Sequence, residues 1–451
     1  MNLFTQLQKR EQESKPIRVG VIGAGKFAAM FFSQARLTPG IKIVGIADLY
    51  PEKAKAACLR TGWPEAVLTF QSTVEGINRA ADTEKTAITD DALALIESNV
   101  DVILEVTGIP EAGTLHAMRA LESGKDVVMV NVETACLLGP ALEKKARQNG
   151  RIISLAYGDQ PAIICEQIDW ARAIGLEVVC AGKGTRYQPE YRYSTPDTIW
   201  DYYGFTREQV DSGDYNAKMF NSFLDGTKSA IEMCAVADAS GLLPQTAGLQ
   251  FPAVGADHLQ EVLIPKADGG ILEQSGTVEV VASENRDGSP VKNDLRWGTY
   301  VVFKAPTDYV RRCCNEYGLK TDSSGYYSAL YRPYHLIGLE LGISVASVVL
   351  RGEATGATGE FIGDVAAVAK KNLKPGDTLD GEGGYAVFGR LVRAQESLAA
   401  GYLPMGLTDH AKVVKPVVKD SILTYKDVQI NENSAAFMLR KTMEEEKSPV
   451  G

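Results

Sequence analysis

The chain has 451 residues, 45% of them hydrophobic and 23% charged, with a formal net charge of −10. At roughly 100–200 residues per domain that length makes two to four domains, and the acidic balance argues against a general binder of nucleic acid or of anionic membrane, so an anionic substrate needs a local basic pocket. The polar opening MNLFTQLQKREQESKP has no signal-peptide core, no apolar run spans a bilayer, and the seven cysteines form no CxxC pair, which points to a reducing cytoplasm and away from zinc knuckles and disulfide frameworks.

In chain order, residues 1–16 read as an amphipathic helical arm that stops at Lys15-Pro16. Over residues 17–155 short apolar strands alternate with helical stretches, from IRVGVIG and KFAAMFFSQARL to DVVMVN and ALEKKARQNG. This α/β pattern is that of a Rossmann domain with a doubly wound parallel sheet. The first strand runs into Gly23-Ala24-Gly25-Lys26-Phe27-Ala28. In such a GxGxxA turn the first glycine makes the turn and the second admits a pyrophosphate to the backbone. The small third residue lets helix and strand pack closely, and the helix start at Lys26 and Phe27 turns its N–H groups to the phosphates. Alone the motif also describes an ordinary glycine turn. Here the second strand ends in Asp48, 20 residues after Ala28, where a carboxylate meets ribose hydroxyls and repels a 2′-phosphate, so NAD is favoured over NADP. Later strand ends carry Thr107 and Gly108 in VDVILEVTGIP, then Asn131 and Glu133 in GKDVVMVNVETA. Open α/β sheets bind ligands at such ends, and Asn131 and Glu133 serve equally well as caps of the next helix.

Residues 156–363 read as a central α/β catalytic domain. The stretch GKGTRYQPEYRYSTPD packs Lys183, Arg186, Tyr187, Arg192 and Tyr193 into eleven residues, a composition suited to a phosphate or carboxylate as well as to a solvated loop. FNSFLDGTKSAIEM reads as one helix with Asn221, Asp225 and Lys228 on one face. Lys228 then donates a proton or polarises a carbonyl, or forms a plain ion pair with Asp225. VEVVASENRDGSPVKNDLRWGTYVVFKA reads as antiparallel strands about a turn, and GYYSALYRPYHLIG sets Arg332, Tyr334 and His335 before an apolar helix, where they close a pocket or pack as core. Residues 364–430, with VAKKNLKPGDTLDGEGGYAVFGRL, form a small β-rich module, and residues 431–451 a charged, loosely attached tail.

GKDVVMVN resembles the strand before the nicotinamide pocket of homoserine and aspartate dehydrogenases, and FNSFLDGTKSAIEM resembles the homoserine dehydrogenase helix that carries an acid and a catalytic lysine. VAKKNLKPGDTLDGEGGYAVFGRL resembles the antifreeze-like SAF module. Over residues 15–430 the whole resembles the deoxyxylulose-5-phosphate reductoisomerase-like (DRL) family. That resemblance implies NADPH and reduction of deoxyxylulose phosphate to methylerythritol phosphate in isoprenoid precursor synthesis; Asp48 departs from a clean NADP pattern. The expectation is a cytoplasmic, homo-oligomeric NAD(P)H-dependent oxidoreductase acting on a small anionic sugar-derived substrate. Lys183, Lys228 and Asp225 act in catalysis, and Arg186, Tyr187, Arg192, Tyr193, Asn221, Arg332, Tyr334 and His335 bind substrate. A Mg²⁺ or Mn²⁺ ion is left open, because the four histidines are scattered and no spaced carboxylate cluster stands out. The rivals are a homoserine-dehydrogenase-like dehydrogenase of a hydroxy acid or sugar acid, and a nucleotide-bound sugar sensor.

Overall fold

In the computed structural model the described residues are 2–212 and 215–447. Residue 1 of the predicted arm, residues 213–214 at the end of the loop-rich stretch, and the last four residues of the predicted tail lie outside them. The chain divides into two compact units, Met1–Ile163 with Leu336–Gly359, and Ile164–His335 with Glu360–Gly451.

The first unit is built on seven strands: β1 (Ile17–Ile22), β2 (Ile41–Ala47), β3 (Leu68–Phe70), β4 (Thr86–Thr89), β5 (Val102–Glu105), β6 (Asp126–Met129) and β7 (Ile153–Leu155), in the order β3-β4-β2-β1-β5-β6-β7. Every neighbouring pair is parallel. Strands buried on both faces need near-continuous apolar sequence, and IRVGVI and IKIVGIA supply it. The chain leaves β1 toward β2 on one side and later places β5 on the other, so the order reverses beside β1. That reversal opens the ligand crevice of a Rossmann sheet at the C-terminal ends of β1 and β5.

Two segments join this unit in a way the sequence did not show. The N-terminal helix Leu3–Gln12 is no free arm: Leu7 is buried, and Glu11 accepts from the Gly40 N–H at 2.8 Å. Residues 336–359, expected in the catalytic segment, also return here. Their helix Gly342–Ala346 and the π-turn Ser347–Arg351 put Leu341, Val345 and Val348 into one core with Leu7, Phe31 and Ile43. The cause is the apolar face of LGISVASVVL, which needs a sheet face to cover.

The second unit holds β8 (Glu177–Thr185), β9 (Thr277–Ala282), β10 (Thr299–Lys304) and β11 (Tyr327–Arg332), in the order β11-β10-β8-β9. β9 and β10 are not the expected antiparallel neighbours. β8 lies between them, parallel to β9 and antiparallel to β10. β8 fits there because Gly182 and Gly184 carry no Cβ: one added would meet the Glu279 carbonyl oxygen at 1.8 Å and that of Leu295 at 1.9 Å. The expected single helix around Asp225 is two, Ala217–Asp225 and Thr227–Ser240, broken at Gly226 with φ 88.

The C-terminal stretch is β-rich, as expected, but forms no unit of its own. β12 (Gly363–Ala369) pairs antiparallel with β13 (Val387–Arg393). This pair lies on the helix Thr227–Ser240, where the Gly389 N–H donates to Thr227 Oγ1 at 2.8 Å. The tail is anchored too. In helix Ala435–Lys447 the fully buried Arg440 donates to Asp364 at 2.6 Å and to Glu444 at 2.8 Å. Among the described residues no helix is long and apolar enough to cross a membrane.

Candidate functional site

The glycine turn of the first unit has the geometry its spacing implies. Gly23 ends β1 at φ 101, and a Cβ there would lie 3.0 Å from the Val106 backbone. Gly25 begins the helix Lys26–Ala35 with no side chain capping it, and a Cβ built on it meets nothing within 4 Å. The first turn, at exposed Lys26 and half-buried Phe27, thus has N–H groups with no acceptor inside the helix and no capping side chain, while buried Ala28 packs against the sheet. Asp48 is fixed by two backbone donors, Ala24 N–H to Oδ2 and Tyr50 N–H to Oδ1, both at 2.9 Å. Each oxygen keeps a lone pair for a ribose hydroxyl. These residues fit a dinucleotide.

At the next strand end, Thr107 donates to buried Glu105 at 2.6 Å, and Gly108 at φ 69 leaves open space. Asn131 is the cap of helix Val132–Gln148. It accepts from Thr134 N–H at 3.1 Å and donates to Thr107 Oγ1 at 3.2 Å and to the Ile109 carbonyl at 3.1 Å. Of its two readings the capping one is what the geometry displays; half-buried Glu133 sits in the first turn of that helix.

In the second unit Lys183 and Arg332 stand in one row across the sheet, each in register with Thr299, and Lys228 lies one turn before Glu232 on helix Thr227–Ser240. Lys183, within β8 and not at its end, is buried against the Glu232 carboxylate. Arg186 donates to Glu284 at 2.7 Å and to the Tyr202 carbonyl, and Tyr191 donates to the same Glu284 at 3.0 Å. Lys228 is half-buried in the first turn after Gly226. The left-handed glycine between them takes Lys228 out of the helix that ends in Asp225, so the expected shared face is lost. Arg332 ends β11, its guanidinium 5.8 Å from the ring of exposed Tyr334, and His335 Nδ1 lies 2.7 Å from the Trp297 carbonyl oxygen.

The same unit holds a cavity of about 280 Å³ whose walls include Tyr187, Arg192, Tyr193, Asp225, Phe251 and Arg390. Tyr187 stacks on Phe251 with ring centroids 3.8 Å apart and receives a hydrogen bond from Arg192 Nε. Asp225 is held by Thr227 N–H at 2.9 Å and by Lys370 Nζ at 2.7 Å. Lys370 also donates to the carbonyls of Ser194 and Gly384, both at 2.8 Å. Asn221 braces the same corner, donating to the Ser194 carbonyl at 3.1 Å and to that of Gly383 at 2.8 Å. Burial pushes the Asp225 carboxyl above its ordinary range, against the pull of Lys370. Sequence reasoning missed Lys370, Phe251, Phe388, Arg390 and Asp420; the one local sign was a lysine pair closing the fully apolar run VAAVA.

No group of three or more His, Cys, Asp or Glu side chains that could hold a metal exists among the described residues. A Mg²⁺ or Mn²⁺ ion would therefore be held by one or two carboxylates together with substrate oxygens.

Residues 19–156 match the family model of the homoserine dehydrogenase NAD-binding domain, and residues 158–341 that of the catalytic domain of oxidoreductase DRL. The chain is thus an NAD(P)-dependent oxidoreductase: an NAD-binding domain followed by a DRL-type catalytic domain. The matches do not extend to the C-terminal segment expected to be SAF-like. No curated protein matches the chain. Among solved structures, the yvaA protein of Bacillus subtilis is 14% identical, with 75% of this chain and 89% of that one covered and a TM-score of 0.36. The YPO2259 protein of Yersinia pestis is 16% identical, with 76% and 90% covered and a TM-score of 0.36. The myo-inositol dehydrogenase of Lactobacillus casei is 19% identical, with 41% of this chain and 50% of that one covered and a TM-score of 0.27. Likenesses this distant carry nothing about activity.

Proposed function

We propose that the protein is a deoxyxylulose-5-phosphate reductoisomerase-like enzyme, reducing a small phosphorylated carbonyl compound at the expense of a reduced nicotinamide. The observation that carries this reading is the presence of an open glycine turn and fixed Asp48 in the NAD-binding domain and of a small cavity with arginine, tyrosine and aspartate in its wall in the catalytic unit. Bound on the first unit, a reduced nicotinamide supplies hydride. Gly23 and Gly25 admit the pyrophosphate, the N–H groups of Lys26 and Phe27 receive it, and Asp48 holds the ribose, in preference to a 2′-phosphate. Thr107 and Gly108, with Asn131 and Glu133 beyond them, form the floor on the nicotinamide side.

In the second unit Asp225 accepts a substrate hydroxyl, and Lys228 supplies the proton that the reduced carbonyl oxygen takes up. Lys183, held by Glu232, is proposed to stabilise enediolate or alkoxide charge during rearrangement. Tyr187, Arg192 and Tyr193 line the substrate, Asn221 keeps Asp225 in place, and Arg186, Arg332, Tyr334 and His335 are proposed to close over the bound substrate. A cytoplasmic homo-oligomer is the proposed working form.

The test is oxidation of NADH and NADPH with deoxyxylulose phosphate and with a panel of sugar acids and hydroxy-acid precursors. Turnover of the phosphorylated ketose, with loss of roughly 10²–10⁴ in kcat/KM for Lys228→Ala, supports the reading. Turnover confined to a sugar acid replaces it with the dehydrogenase alternative, and absence of any turnover with it points to a sensor.

A further inference from the structure

We propose that Arg192 and Arg390 form an anion subsite in the cavity of the second unit, taking a single phosphate group of a small polyol whose hydroxyl end meets Asp225. The inference deepens the reductase reading and rests on it for the nature of the polyol. Besides half-buried Arg192, the buried or half-buried arginines of this region are already matched: Arg186 with Glu284, Arg393 with Glu273, and Arg440 with Asp364 and Glu444. Among the described residues Arg192 and Arg390 form no ion pair with a carboxylate. Neutral groups aim them instead. Arg192 Nε donates to the Tyr187 hydroxyl, and Arg390 Nη2 donates to the Ala247 carbonyl at 3.2 Å. A guanidinium has five donors in a fixed fork, so each keeps an edge for a ligand oxygen. In a chain of net charge −10, two unmatched guanidiniums on one cavity are a local reversal of the prevailing field.

The rest of the wall sets the ligand's size and sense. Phe251, Phe388, Leu249 and Leu391 give an apolar side for a carbon chain. Asp225 and Asp420 are the wall's carboxylates, and Asp420 accepts from Tyr193 at 2.7 Å. Asp225 is matched by Lys370, so one carboxylate, Asp420, stands against two guanidiniums; the surplus of one positive charge suits one anionic group better than two. A volume of about 280 Å³ lies at the small end for ligand pockets. Lys370 spends three N–H donors on Asp225 and two carbonyls, so it is a positioning residue for Asp225 with no donor left for the ligand. Lys370, Phe388, Arg390 and Asp420 all come from the C-terminal segment, which therefore completes the pocket.

The experiment uses the full chain and inorganic phosphate as probe, followed by calorimetry, with Arg390→Gln as the first variant because that side chain is solvent-exposed and its loss leaves the fold intact. Phosphate affinity should fall roughly tenfold or more in Arg390→Gln and again in Arg192→Gln, the loss of charge-assisted bonds, while Arg390→Lys recovers part of it. Deoxyxylulose phosphate should lose affinity in the same order, and unphosphorylated deoxyxylulose should not. Unchanged phosphate affinity in folded Arg390→Gln, or equal losses for both sugars, overturns the subsite. If no carbonyl compound is reduced and phosphate binding still weakens in both variants, the reductase reading falls and the subsite stands.

Discussion

Asp48 acts through its charge. Its carboxylate takes two backbone N–H donors, and a fixed negative charge there disfavours a 2′-phosphate. Asp48→Asn keeps one acceptor oxygen and removes the repulsion. The expected outcome is weaker NADH binding with NADPH binding unchanged or stronger, read by cofactor fluorescence; equal losses for both show that Asp48 does not read this position. Glu279, in the middle of β9, poses a different problem. It accepts from Val280, Gln250 and Gln245 yet is fully buried, and burial raises its pKa from 4.5 to about 7. The folded chain thus holds this proton more tightly than the unfolded one. Its stabilising share is complete below about pH 4.5 and is lost as pH rises toward 7, a change on the order of 3 kcal/mol. Denaturant titrations at pH 5 and pH 7.5 should show Glu279→Gln losing less stability across that interval than the unaltered chain; parallel curves refute it.

At the scale of the element, the break at Gly226 decides which side chains meet. With φ 88, and with an added Cβ 3.4 Å from both Phe251 and Tyr187, Gly226→Ala should cost about 1–2 kcal/mol. It should also lower the Tm and disturb the Tyr187–Phe251 stack, which near-ultraviolet dichroism reads. No change in Tm would mean that the chain bends elsewhere. The same position marks how far the sequence could be read. The parallel sheet and the glycine turn were legible because their determinants are local: apolar strands of fixed period, and glycines at fixed offsets. Asn221 and Asp225, one turn apart, were rightly placed together. Lys228 was misplaced because a helical glycine and a left-handed one are spelled alike. Lys370 was invisible as Asp225's partner, since a sequence separation of 145 leaves no periodic trace. β8's insertion between β9 and β10 was hidden for the same reason: strand order beyond neighbours in sequence is fixed by long-range packing, here permitted by Gly182 and Gly184.

For the whole molecule the question is what the C-terminal segment does. Read from sequence as a separate β-rich module, it instead shares one compact unit with residues 164–335. Removing everything after residue 359 takes away the strand pair over helix Thr227–Ser240, and with Lys370 the only ion-pair partner recorded for buried Asp225 among the described residues. A buried carboxylate stripped of its partner costs roughly 3–5 kcal/mol, and the newly exposed apolar surface adds to that. The first unit keeps all its segments, because Leu336–Gly359 lies before the cut. Calorimetry of the shortened chain should therefore lose the transition of the second unit, while a lower transition that shifts upward with NADH remains. Lys370→Met in the full chain should reproduce part of the loss, and Lys370→Met with Asp225→Asn should restore some of it, since the second change removes the unmatched charge. A shortened chain that keeps every transition and changes only its mass in light scattering would assign the segment a role in assembly instead. Loss of NADH binding along with the second unit would show that the two units fold as one.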